Sequence, residues 1–337
     1  MESYIDPQLP LIDLHRHLDG SVRLETVIEL AQQQGIDLPA RDVESLRPHV
    51  VVEGRASSLM DFIGRFKYLT AILHDLDACR RVAYENVEDA QREGIDYIEL
   101  RFSPWFMSET HDLNPAGVVE AVADGIKAAE RDTGVRAQMI GIMSRTYDTE
   151  TCHRELDALL AHRDHLVAID LAGDELKFPA GLFQEHFKRA RDAGLQVTVH
   201  AGEVDGPESV WASIRELGAT RIGHGIHALR DPELVEYLHK HRIGLEVSIT
   251  SNIHTGTVDH YQGHPAKRIF ELGLLANLNT DDPAISGIDL RHEYEVAAPR
   301  AGLSSQMTRQ SQLNALEMAF LPDYEKQIIL NKKALIT

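Results

Sequence analysis

The chain has 337 residues, 43% of them hydrophobic, and a formal net charge of −19. This length fits one α/β barrel with a sizeable core, and the apolar content excludes a disordered chain. The acidity opposes binding to a phosphate backbone, so a nucleic-acid polymer is not an expected partner, whereas a neutral nucleoside is not excluded.

The two cysteines, Cys79 and Cys152, lie far apart and outside any Cys-x-x-Cys spacing. They read as buried free thiols in a reducing compartment. Residues 1–7 lack the basic and apolar regions of a signal peptide. No apolar run approaches the ~20 residues of a membrane span. A cytoplasmic protein without membrane attachment is expected, and nothing marks a protein partner.

In chain order, the first strand is expected at Leu11–His15, running into His15-Arg16-His17. Ser21 is the expected N-cap of a helix that carries Leu24, Val27, Ile28 and Ala31 on one face and stops at Gly35. After a looser stretch with Pro39 and Pro48, Leu59, Phe62, Ile63 and Phe66 form a second helical stripe. Cys79, Val82, Ala83, Val87 and Ala90 form a third, ending at Gly94. From there strands and helices alternate. Strands are expected at 95–102, 136–143, 166–172, 195–200, 220–224, 243–249 and 274–280. The intervening helices open at Asn114-Pro115, near Leu156, and at Pro179, Pro207, Asp231-Pro232 and Pro265. Glycines 134, 194, 218 and 273 stop four of them. Three more helical patterns finish the chain, around Tyr294, from Leu313 to Phe320, and from Ile328 to Leu335.

Short apolar strands alternating with helices are the pattern of a parallel sheet buried on both faces. The expected fold is α/β: a single (β/α)8 TIM barrel domain over residues 1–337, with a helical insertion after strand 1 and extra C-terminal helices. The other arrangement is a doubly wound open sheet. No Gly-x-Gly-x-x-Gly follows an early strand, which counts against its dinucleotide-binding form.

Barrel enzymes carry their chemistry at the C-terminal strand ends, so the polar residues that close each strand are the candidates. They are His15 and His17 after strand 1, Gly173, Asp174 and Glu175 after strand 4, His200 and Glu203 after strand 5, His224 after strand 6, and Asp281 and Asp282 after strand 8. His15 and His17, two apart, share a face of an extended chain. Barrel closure sets Asp281 beside them, and strand 5 brings His200 from across the mouth. Three imidazole nitrogens and one carboxylate oxygen suit one zinc ion, with a position left for water. The chain has 18 histidines. Those such as His162, His239 and His241 read as solvated helix residues, and only the coincidence at three strand ends singles out this set. Asp281 and Asp282, as strand neighbours, face opposite ways, one toward metal and the other toward a ligand. Lys177 falls in the loop past strand 4, which favours one metal over a lysine-bridged pair.

His15-Arg-His-Leu-Asp-Gly20, Asp170-Leu-Ala-Gly-Asp-Glu175, His200-Ala-Gly-Glu203, Arg221-Ile-Gly-His-Gly225 and Asn279-Thr-Asp-Asp-Pro283 together resemble the adenosine deaminase family. The match runs over nearly the whole chain and in the family's order, and it is nearest the bacterial members. The resemblance implies a zinc hydrolase that converts adenosine, and 2′-deoxyadenosine, to the inosine product and ammonia in purine salvage. By motif matching, His15, His17, His200 and Asp281 would bind one Zn2+ per chain. Glu203 would deliver a proton to purine N1, and His224 would orient the attacking water and help deprotonate it. Asp282 would bond N7, the Gly173 backbone would meet N3, and Asp19 would hold the ribose hydroxyl. His17 would also border the substrate, under an apolar lid of Leu59, Phe62, Ile63 and Phe66; ordinary core packing explains that stripe nearly as well. Relatives that act on free adenine carry Glu at the position of Asp19. Residues Ser248 to Asn252 depart from the animal enzymes, which leaves ribose contacts from strand 7 unassigned.

The reaction needs such a set. Zinc lowers the pKa of a coordinated water from 15.7 to about 7. Attack at C6 drives negative charge onto N1, so an acid placed there stabilises the transition state. To donate, Glu203 must be held protonated, by burial or by a proton from the water. The zinc deaminases of polynucleotide bases instead use His-x-Glu and Pro-Cys-x-x-Cys, which neither cysteine here can supply. The alternatives are an adenine or modified-adenine-nucleoside deaminase and, from another class, a catalytically dormant nucleoside-binding protein.

Overall fold

A computed structural model describes residues 3–57 and 59–334, without the side chains of residues 59, 60 and 334. Eight parallel strands pair in chain order. They are β1 (Ile12–His17), β2 (Tyr97–Phe102), β3 (Arg136–Ser144), β4 (Leu166–Ala172), β5 (Gln196–Ala201), β6 (Arg221–His224), β7 (Gly244–Val247) and β8 (Ala276–Leu278). The ring closes just past β8: the Asp281 N–H donates to the His15 carbonyl and the His17 N–H to the Asp281 carbonyl, both at 2.8 Å. This is the expected (β/α)8 barrel.

The helical insertion between β1 and β2 includes Leu24–Gln34, Val43–Val50 and Leu76–Glu93. The expected lid helix is broken into Leu59–Ile63, a 3-10 turn at Gly64–Phe66 and Lys67–Thr70. Helices Ser305–Met318 and Asp323–Ala334 close the chain, and Leu335 lies outside the described residues. Asn114, Asp148 and Asp231 cap their helices with side-chain oxygens, and glycines 35, 94 and 134 end helices in the left-handed conformation.

Three further local expectations fail. Arg23, not Ser21, occupies the first N-cap, and the Ser21 hydroxyl bonds back to the His17 carbonyl. The seventh strand stops at Val247 because Ile249–His254 turns helical; the Glu293 carboxyl accepts from the Ile249 and Thr250 amides at 3.0 and 3.1 Å and so caps that helix. The strands are also not apolar on both faces. Glu99, Arg101, Asp170, Thr198, Arg221 and Glu246 are fully buried or nearly so, and they join in a charged network inside the barrel.

The main apolar core fills the space between the strands and the helices around them. A second cluster, with Ile12, Leu14, Tyr97 and Met318, plugs the barrel floor. There the Phe320 amide donates to Glu99 at 2.7 Å, and the Arg221 guanidinium lies over the Phe320 ring at 3.7 Å. Leaving any of these buried charges unpaired would be costly, and pairing offsets that cost. The apolar cluster and the paired charges fill the floor, and the polar strand-end residues gather at the mouth. Among the described residues no helix is long and apolar enough to cross a membrane.

Candidate active site

β1 brings His15 and His17 to the mouth, β5 brings His200, and the turn after β8 brings Asp281. Each offers one donor atom, and the four atoms lie within 4.8 Å of one another. Asp281 Oδ1 is 3.2 Å from Nε2 of both His15 and His17, and the Nε2 atoms of His17 and His200 are 3.2 Å apart. Buried polar atoms normally find partners, yet His15 Nε2 is buried without a hydrogen bond. A bare nitrogen facing three other donors fits a cation, and the mixed nitrogen–oxygen set fits a divalent metal.

Carboxylates stand behind two of these four donors. His15 Nδ1 donates to Glu246 at 2.7 Å and His200 Nδ1 to Asp170 at 2.9 Å. That fixes the ring hydrogens at Nδ1 and leaves Nε2 bare for a metal. Burial lowers both ring pKa values, His200 to about 3, so both rings are neutral. Arg101 ties Asp170 and Glu246 together, at 2.8 and 2.7 Å. Burial opposes the Asp281 charge, but His15, His17 and His224 outweigh it and hold the carboxyl well below the usual range. The sequence reading misses the roles of Asp170, Glu246 and Arg101. Their signal is a polar residue at an interior position of a strand that otherwise reads as apolar.

Glu203 comes back over the cluster because the chain reverses at Gly202, whose φ is 64°. A Cβ there would stand 2.6 Å from Val210 Cγ2, so only glycine fits. Glu175, from the loop after β4, holds this turn by accepting from the amides of Gly202, Val204 and Asp205 at 2.5, 3.0 and 3.2 Å. Burial raises the Glu203 carboxyl above its ordinary value. His224, at the end of β6, sets Nε2 3.6 Å from Glu203 Oε2 and 3.7 Å from Asp281 Oδ2. His224 and Asp281 both adopt left-handed backbone, at φ 62° and 67°. Non-glycine residues there cost on the order of 1 kcal/mol or more and concentrate at functional sites.

A cavity of about 260 Å³ opens above the cluster. His17, Asp19, Phe62, Ile63, Phe66, Gly173, His200, Glu203, His224, Asp281 and Asp282 all line it. The Leu59 side chain lies outside the described residues. Asp19 and Asp282 each leave a buried Oδ1 without a partner. Burial, then the charge of Asp281, pushes the Asp282 carboxyl well above its ordinary value. Asp282 fits only because residue 20 is glycine: a Cβ there would fall 1.9 Å from Asp282 Oδ1. From the stretch after β7, Ser251 reaches the cavity, whereas Asn252 turns to His224 at 3.1 Å. Asp174 stays outside, accepting from the Lys177 amide, and Lys177 is exposed in the turn. His239 and His241 are exposed and His162 is half-buried, away from the site.

Behind the cavity wall, buried Glu155 accepts from the Ser103 hydroxyl and, at 2.7 Å, from the Ser144 amide. Burial moves its pKa from 4.5 up to about 7. Between those values the native chain keeps a proton that the unfolded chain gives up. The stability gained is complete below 4.5 and is lost as pH rises through 7. Glu155→Gln copies the protonated shape. It is expected to match the parent near pH ~5 and to exceed it above pH ~8 by up to about 3 kcal/mol. Urea unfolding at the two pH values checks this, and an equal gap at both would contradict it.

Comparison with known proteins agrees with this geometry. The family model described as adenosine deaminase matches residues 10–334. The chain is 57% identical to the adenosine deaminase of Vibrio cholerae over 331 residues, 98% of this chain and 99% of that protein. Among solved structures it resembles an adenine deaminase from Arthrobacter aurescens, with a TM-score of 0.90 and 26% identity over 96% of this chain and 98% of the other. It also resembles an amidohydrolase from Burkholderia ambifaria with bound zinc, with a TM-score of 0.86 and 27% identity over 97% and 90%. A family-model match over residues 10–334 and a relative 57% identical over nearly the full length have one reading: the chain belongs to the adenosine deaminase family.

Proposed function

We propose that this protein is a zinc-dependent hydrolase that converts adenosine and 2′-deoxyadenosine to inosine and deoxyinosine, releasing ammonia, in cytoplasmic purine salvage. The observation that carries the reading is a buried carboxyl, Glu203, raised in pKa and lining one cavity with His17, His200 and Asp281 of the four-donor cluster. His15, His17, His200 and Asp281 would hold the ion, which supplies a nucleophile at neutral pH when bound. The zinc in the Burkholderia relative supports that choice of metal. Two buried free thiols support a reducing compartment.

The chain's own residues divide the remaining work. Glu203 keeps a proton for N1, where charge gathers as C6 is attacked. N7 of a purine can only accept, so its partner must donate. Asp282, held protonated by burial beside the Asp281 charge, is suited to donate. Asp19 has a free buried oxygen for a ribose hydroxyl. Phe62, Ile63 and Phe66 give an apolar cover, and among the described residues no Lys or Arg lines the cavity. A bidentate Arg or a Lys for a phosphate is missing from that lining, which favours a neutral nucleoside over a nucleotide.

Likeness to an adenine deaminase supports a second reading, deamination of the free base. Ultraviolet assays on adenosine, 2′-deoxyadenosine and adenine decide between them. Turnover of both nucleosides is expected, and turnover of adenine with none of adenosine would overturn the proposal.

A further inference from the structure

Two polar residues beside the site, Asn252 and His264, do not line the cavity. Both are buried, with exposures of 0% and 4%. Ala266 opens the helix Ala266–Glu271, so its amide has no partner within the helix. That amide donates to His264 Nδ1 at 3.0 Å. A ring nitrogen that accepts carries no hydrogen, so the neutral ring has its hydrogen on Nε2. Burial and the nearby His224 keep His264 neutral, with a pKa of about 3. Its Nε2–H therefore donates to Asn252 Oδ1, at 3.1 Å.

That bond settles the Asn252 amide. Turning it over would set Nδ2–H against Nε2–H and leave buried donors unpaired. Nδ2 therefore faces His224 Nδ1, at 3.1 Å, and can only donate. His224 Nδ1 must accept, so the His224 hydrogen sits on Nε2, the atom that faces Glu203 and Asp281. The platform for this chain of bonds is fixed: the Asn252 carbonyl accepts from the Val258 amide at 2.9 Å and the Thr257 hydroxyl at 3.0 Å.

We propose that the Ala266 amide, His264 and Asn252 form a hydrogen-bond relay that locks His224 as the Nε2–H tautomer, with His264 and Asn252, whose Nδ2 also reaches Glu203 Oε1 at 3.4 Å, as positioning residues that do not themselves line the substrate cavity. For its catalytic consequence the inference rests on the deaminase reading. A locked Nε2–H meets the attacking water as a donor to its oxygen and cannot take its proton. That differs from the base role the family resemblance implies for His224. The water's proton must then go to a group other than His224; of the two carboxyl groups that face this Nε2, Asp281 is the ionised one, because Glu203 already holds the proton meant for N1.

The test reads the tautomer directly. Long-range 1H–15N spectra of the histidine-labelled, zinc-loaded protein report which ring nitrogen carries hydrogen, with His224 assigned by its loss in His224→Asn. Both His224 and His264 are expected to carry it on Nε2. His264→Leu cannot donate to Asn252, so His224 should show a mixture of tautomers. In that variant kcat should fall about 10–100-fold, with KM and zinc content nearly unchanged. His264→Gln has a side-chain N–H in place of the ring's and should restore most of the rate. Hydrogen on His224 Nδ1 in the unmodified protein overturns the relay, as does a His264→Leu variant with unaltered spectra and kcat. Should His264→Leu fail to fold, the unmodified spectrum alone decides. The spectra need no substrate, so they judge the relay even if adenosine is not turned over.

Discussion

Glu203→Gln is expected to keep the metal and lose most of the rate. The amide fills the same space and keeps the turn at Gly202, but it cannot hand a proton to N1. General acid catalysis contributes about 10²–10⁴-fold, so kcat should fall by that range while KM moves only a few-fold. Metal content should match the parent, because Glu203 is not one of the four clustered donors. Steady-state kinetics on adenosine with metal analysis of the same samples checks both halves. Near-normal turnover would remove Glu203 from the proton step; lost metal would make the defect structural.

Removing the metal has the other large expected effect. Treatment with a chelator such as dipicolinate should take turnover to background, and one equivalent of zinc should restore it. The site geometry explains the sensitivity: His15 Nε2 has no other partner, and the remaining donors crowd the same space. An ion that binds the folded chain alone also stabilises it, by about 2.7 kcal/mol at a hundred times its Kd, so the unfolding midpoint should rise on reloading. Full activity in metal-free protein would refute the metal's role, and two ions per chain would refute the single-metal site.

The strand ends were the legible part of this sequence. A histidine, aspartate or glutamate after an apolar run marks the mouth of a barrel, and His15, His17, His200, His224 and Asp281 are found there. What lies behind them was not legible. Glu246 meets His15 across the barrel interior, Asp170 meets His200 from the neighbouring strand, and Arg101 bridges the two acids. Those meetings depend on strand tilt and stagger, which the order of residues along one strand does not encode. Asn252 was hidden for another reason. Val247 looked like the middle of an apolar strand, but the chain turns into a helix at Ile249, which Glu293 caps from more than forty positions away. Local pattern cannot report a cap that distant.

Asp281 belongs to two structures at once. Its backbone makes the hydrogen bonds that join the last strand region to the first, and its side chain stands among the four clustered donors that could hold a metal. Any ion held there, with His15 and His17 on one side of the seam and Asp281 on the other, works as a clasp on the barrel. Chelation should then inactivate the protein and loosen the ring together, as one event seen by two methods. A residue that a catalytic account would treat as a ligand alone is also the fastening that keeps the last strand region against the first.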